Sequence, residues 1–173
     1  HCGPGGSHIT LEQGIDQAKI WEYTDPNNFT DIARKYQLRI CLAHMGGKIH
    51  LDQKSKEWRE NILENIKTAH HWPDSQGRIY VDLSFDISNV LKEEGQLNIY
   101  IGDANSSITG DTIEYLEDAV IGRYVMFGSD WPMGMHSFSE KQYIEPYRKR
   151  LGIPHQEKFF QDNLARFLFG ESK

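Results

Sequence analysis

An alternation along the chain constrains the fold more than any other feature. Short apolar runs, Leu38–His44, Ile79–Phe85 and Tyr124–Phe127, are separated by longer stretches with helical spacing. Apolar strands with a helix between each pair lie parallel, because only a crossover returns the chain to the same end of the sheet. Two architectures satisfy this order: an open doubly wound sheet and a (β/α) barrel of the TIM type.

The connecting stretches carry their own signals. Leu11–Tyr23 has a loose helical spacing through Leu11, Ile15, Ala18 and Trp21. Asp25-Pro26 opens a clearer helix, with Asp25 as N-cap, Pro26 at the first helical position, and Phe29, Ile32, Ala33 and Tyr36 on one face. Lys54–His70 is predicted to be a helix that buries Trp58, Ile62, Leu63 and Ile66. Ser88–Glu94 reads as a helical turn, and Gln96–Ile101 as a short strand or a packed apolar loop. Asp111 is expected to cap a helix running to Ile121, with Gly122 as its stop. Ser139–Leu151 is a further helix, split or kinked at Pro146. The last helix, Pro154–Phe169, turns Phe159, Phe160, Leu164, Phe167 and Leu168 inward and stops at Gly170. No repeat or linker interrupts the 173 residues, which suit a single α/β domain over 1–173.

Strand ends favour the barrel. Three of them bear side chains that ligate metals: His1, His44 and Asp130. A barrel gathers its strand ends around one axis, whereas an open sheet spreads them along an edge. Imidazole and carboxylate are the donors that Zn²⁺ or a similar ion takes, and such an ion makes water a nucleophile at neutral pH. Each residue also has a plain reading. Asp130 in Gly128-Ser129-Asp130-Trp131-Pro132 suits an Asx-type turn, His44 a satisfied histidine, and His1 an exposed terminus. His136, in the loop after Asp130, is a candidate substrate contact. His8, His50, His70, His71 and His155 read as surface residues.

Other classes are disfavoured. A net charge of −6 argues against nucleic acid or an anionic membrane as partner. No apolar run approaches the ~20 residues that span a bilayer, and no basic-then-apolar leader is present. Cys2 and Cys41 do not form a disulfide framework, Cys41 reads as a small core hydrophobe, and a cytoplasmic setting is expected. Gly3-Pro4-Gly5-Gly6 lacks the spacing of a phosphate-binding loop. The chain starts on His1 and a glycine-rich turn, so it is expected to be a piece of a longer polypeptide.

Leu42-Ala43-His44-Met45-Gly46-Gly47, Phe127-Gly128-Ser129-Asp130-Trp131-Pro132 and Asn163-Leu164-Ala165-Arg166-Phe167-Leu168 together resemble the amidohydrolase superfamily. The branch is that of amidohydrolase-related hydrolases and decarboxylases of the aminocarboxymuconate-semialdehyde decarboxylase type. The resemblance sets His1 at the end of the fifth barrel strand, His44 at the sixth and Asp130 at the eighth, so that the chain is approximately the second half of the barrel, strands five to eight with their helices. It implies that His1 and Asp130 are metal ligands, and that His44 is a proton shuttle, a stabiliser of charge or a ligand to a second metal. Trp131 and His136 would wall the pocket of a small carboxylate-, lactone- or amide-type substrate. Zn²⁺ or Mn²⁺ is the implied ion of the complete enzyme, and this piece is expected to bind no metal and do no chemistry unless the other half is present. The family's His-x-His pair occurs nowhere in this sequence. The expected partners are therefore the missing N-terminal half of the barrel or a second copy of the chain. Asn163 is expected to fix the last helix. Two other readings stand beside this one: a non-catalytic half-barrel, and an unrelated α/β binding domain.

Overall fold

The computed structural model describes residues 14, 16–46, 53–73, 77–84, 90–93, 96–99, 107–129 and 140–170. These fall in two compact units, His1–Asp82 and Leu83–Lys173.

The first unit is built on a strand, helix, strand sequence. Helix α1 (Gln17–Thr24) starts later than the spacing from Leu11 suggests, because Asp16 takes an extended backbone and caps it, accepting the Ala18 N–H at 3.1 Å. Helix α2 (Asn27–Lys35) opens as its sequence predicts. The Asp25 carboxylate accepts the Asn27 N–H at 2.9 Å, and Pro26 already has helical backbone angles. Its face is narrower than expected. Ala33 is fully buried, but Ile32 and Tyr36 are exposed. Tyr36 falls past the helix end, where Gln37 takes a left-handed φ of 56° and the Leu38 N–H returns to the Ala33 carbonyl at 2.9 Å.

Strands β1 (Arg39–Leu42) and β2 (Arg78–Asp82) pair in parallel, in register from Arg39 with Arg78 to Leu42 with Val81. Between them runs helix α3 (Gln53–His70), which buries Trp58, Ile62, Ile66 and Ala69. Both strands are shorter than their apolar runs. Leu38–His44 yields a strand that stops at Leu42, because the chain then turns left-handed. Ile79–Phe85 stops at Asp82, and Phe85 lies outside the described residues.

In the second unit, β3 (Val90–Glu93) and β4 (Gln96–Ile99) form an antiparallel pair in which Val90 faces Ile99 and Glu93 faces Gln96. Val90–Glu93 is thus strand, inside a stretch where a helical turn was expected, while Ser88, Asn89 and Glu94 lie outside the described residues. Helix α4 spans Ser107–Glu117, so Asp111 lies inside it instead of capping it. It ends before Gly122 because the Asp118 carboxylate accepts the N–H groups of Val120 and Ile121, both at 2.8 Å, and so starts a separate turn. Strand β5 (Val125–Met126) follows, with both residues buried.

Helix α5 (Glu140–Arg150) runs through Pro146 without a break. Helix α6 (Ile153–Glu157) continues through a π turn, Lys158–Asp162, into α7 (Asn163–Phe169). The π turn disrupts the phase of the expected apolar stripe. Phe159 and Asn163 take the inward positions, while Leu164 and Leu168 are 40% and 52% exposed. Phe127, Tyr147, Phe159 and Phe160 pack as an aromatic cluster, with the Phe127 ring 4.9 to 5.9 Å from the other three. No described helix is long and apolar enough to cross a membrane.

Candidate active site

His44 lies just beyond the carboxyl end of β1, in a turn over Ala43–Gly46. The turn is left-handed. His44 has φ 67° and ψ 14°, Met45 has φ 45° and ψ 40°, and Gly46 has φ 81°. For residues with a Cβ this region costs about 1–2 kcal/mol each, because the Cβ approaches the next carbonyl oxygen. Two such residues in succession persist only where the surroundings over-determine them, as at functional sites.

Three contacts do so here. The Asp82 carboxylate, at the end of β2, accepts the His44 backbone N–H at 3.1 Å. Met45 is fully buried and anchors the middle of the turn. Gly46 lies against the backbone of α3, where an added Cβ would sit 2.8 Å from the Arg59 nitrogen. Only glycine fits both that approach and that φ. The parallel register of β1 with β2 brings Asp82 to this place, since Leu42, the last residue of β1, faces Val81, the residue before Asp82. The second Asp82 oxygen accepts the Cys41 thiol at 3.5 Å. Cys41 is half-buried and bonded to a carboxylate, so it does not pack purely as a hydrophobe.

The second unit fixes the other strand end. The Asn163 N–H donates to the Lys158 carbonyl, five residues back. In an α-helix it would take the Phe159 carbonyl. That carbonyl is released and accepts the Phe127 N–H at 3.0 Å. The Asn163 side chain, fully buried, donates to the carbonyls of Gly122 and Val125 at 2.8 and 2.6 Å, and accepts from Arg166 at 2.8 Å. Lys158 reaches the Leu116 carbonyl at 2.8 Å and satisfies the end of α4. The chain leaving β5 through Phe127, Gly128 and Ser129 is thereby tied to the last helix. Asn163 does fix that helix, as expected, and it does so by binding backbone.

Of the candidate metal, catalytic and pocket residues, His44 is described. His1, Asp130, Trp131 and His136 lie outside the described residues. Among the described residues, no three His, Cys, Asp or Glu side chains are grouped to hold a metal ion. His44 is half-buried at a strand end and fits the donor chemistry of a zinc-like ion as one imidazole. Asp82 is the residue that reasoning from sequence missed. In the sequence it stands in the middle of the apolar run Ile79–Phe85 and reads as strand interior; the structure ends β2 on it.

A family model described as amidohydrolase matches residues 1–169. No curated protein and no solved structure matches the chain.

Proposed function

The chain belongs to the amidohydrolase family, and from that membership we propose that it carries the second half of a (β/α) barrel catalysing hydrolysis or decarboxylation of a small carboxylate-, lactone- or amide-type substrate. The observation that carries this reading is the strained turn that holds His44 at the end of β1. Strain of this kind is retained where a side chain must be presented from one fixed place.

His1 and Asp130 would hold a divalent ion, zinc or manganese, with His44 beside it or as a further ligand. Such an ion supplies Lewis acidity and makes water more acidic. Asp130 takes the proton of the attacking water. His44 passes that proton on, or stabilises the charge that develops on the substrate. Trp131 and His136 would help wall the pocket. The remaining donors and walls come from the other half of the barrel.

Elemental analysis of the protein loaded with zinc or manganese tests the reading. With both halves of the barrel present, about one ion per chain is expected after removal of excess metal, and Asp130→Ala should abolish its retention. A protein that retains no zinc and no manganese after loading would overturn the metal assignment.

A further inference from the structure

We propose that Asp82 is the positioning residue for His44: its carboxylate sets the left-handed turn from which the imidazole is presented. The inference rests on the reading of His44 as the working imidazole, but the contact it concerns can be measured without any activity.

The turn has two ends. Its far end is locked by the buried Met45 side chain and by Gly46 against α3. Its near end is the His44 N–H, which points to Oδ1 of Asp82 at 3.1 Å. A left-handed non-glycine backbone relaxes unless both ends are held. Asp82 is well suited to hold the near end. A carboxylate accepts an N–H more strongly than a neutral oxygen does. Its other oxygen is engaged by the Cys41 thiol at 3.5 Å, which fixes the plane of the group. Its own place is set by the β1–β2 register. Both oxygens are engaged within the protein, Oδ1 by the His44 N–H and Oδ2 by the Cys41 thiol, and through the first of these Asp82 acts on His44.

Amide hydrogen exchange read by NMR, with zinc affinity measured in parallel by chelator competition, tests this. Asp82→Ala should speed exchange at the His44 amide by roughly tenfold or more relative to the β1 amides in the same sample, the usual scale for losing a hydrogen bond to a charged acceptor. Asp82→Asn keeps an acceptor oxygen and should restore protection to within about threefold of the parent. Normalising to β1 removes any general loss of stability, which would speed both together. Zinc affinity should fall in Asp82→Ala and return in Asp82→Asn. Should Asp82→Ala not fold, a through-hydrogen-bond coupling between the His44 amide nitrogen and the Asp82 carboxylate carbon reads the same contact in the unsubstituted protein. Unchanged relative exchange in Asp82→Ala, or no such coupling in the parent, overturns the proposal. A parent protein that binds no zinc yet shows the predicted exchange pattern supports the positioning role and removes only the metal assignment.

Discussion

The turn after β1 and the segment after β5 each end a buried strand, yet opposite means hold them. After β1 the backbone is strained and the holding group is a charged, half-buried carboxylate, Asp82. After β5 the holding group is a neutral amide, Asn163, that is fully buried, together with a carbonyl released by the π turn. Burial explains the difference. A carboxylate that keeps contact with solvent stays charged at little cost and makes a strong bond to an amide. A group with no exposure is buried at far lower cost when neutral, and its polar atoms need partners inside the protein. The first device is therefore a local one whose loss releases one turn. The second is part of the core, and its loss is felt through the whole unit.

The largest expected effect follows from the second device. Asn163→Ala removes two donated bonds and leaves the Gly122 and Val125 carbonyls unsatisfied in the interior. At ~1–3 kcal/mol for each buried group, a loss of about 3–4 kcal/mol is expected in urea denaturation. Asn163→Asp should be worse still, since it replaces the donor with an anion facing two carbonyl oxygens. A loss below about 1 kcal/mol for the alanine variant would show that the carbonyls find other partners and that the contrast between the two strand ends is false.

Gly46→Ala comes next and probes the first device at its far end. The added Cβ meets the backbone of α3 at 2.8 Å, and the residue must hold a φ of 81°. Helix backbone cannot give way as a flexible side chain can, so we expect a loss of about 2–3 kcal/mol, roughly the left-handed penalty plus that of overpacking. Denaturation measured by tryptophan fluorescence checks it, because the fully buried Trp58 lies in the helix that must shift. Full retention of stability would mean that the turn is free to move away from α3.

Where the fold was legible in the sequence, the signal was local. Asp25-Pro26 announced α2 through its own backbone chemistry, and the spacing of Trp58, Ile62 and Ile66 announced α3. The apolar runs at 39–42, 78–82 and 125–126 are strands. What escaped depends on residues far apart in the chain. Asp82 reaches His44 because of a strand register, and no periodicity within either strand states a register. The π turn exists because the Phe159 carbonyl is wanted by Phe127, 32 residues earlier, so the stripe through Leu164 and Leu168 looked continuous when it was not. Asp111 resembled a cap because capping residues and helix-interior aspartates are the same letter. The candidate site was legible as residue types at strand ends. Its supporting clamps were not, since they act through backbone groups that every residue shares.

The smallest expected effect sharpens the comparison by moving to a left-handed residue outside both strand ends. Gln37, with φ 56°, closes α2: its N–H donates to the Arg34 carbonyl at 3.3 Å and the next N–H to the Ala33 carbonyl at 2.9 Å. Both bonds belong to the backbone, so the side chain is not needed for them. Glycine is the residue that such a closure favours. Gln37→Gly relieves a backbone penalty of ~1–2 kcal/mol and gives back part of it through the greater freedom of the unfolded chain, leaving a net stabilisation of about 0.5–1 kcal/mol. Thermal and urea denaturation measure it. His44→Gly relieves the same kind of penalty but also removes the imidazole, so a gain in stability there would come with loss of whatever His44 does. If Gln37→Gly destabilises instead, the left-handed backbone costs little in this protein, and the strain at His44 and Met45 ceases to be evidence that anything holds them there.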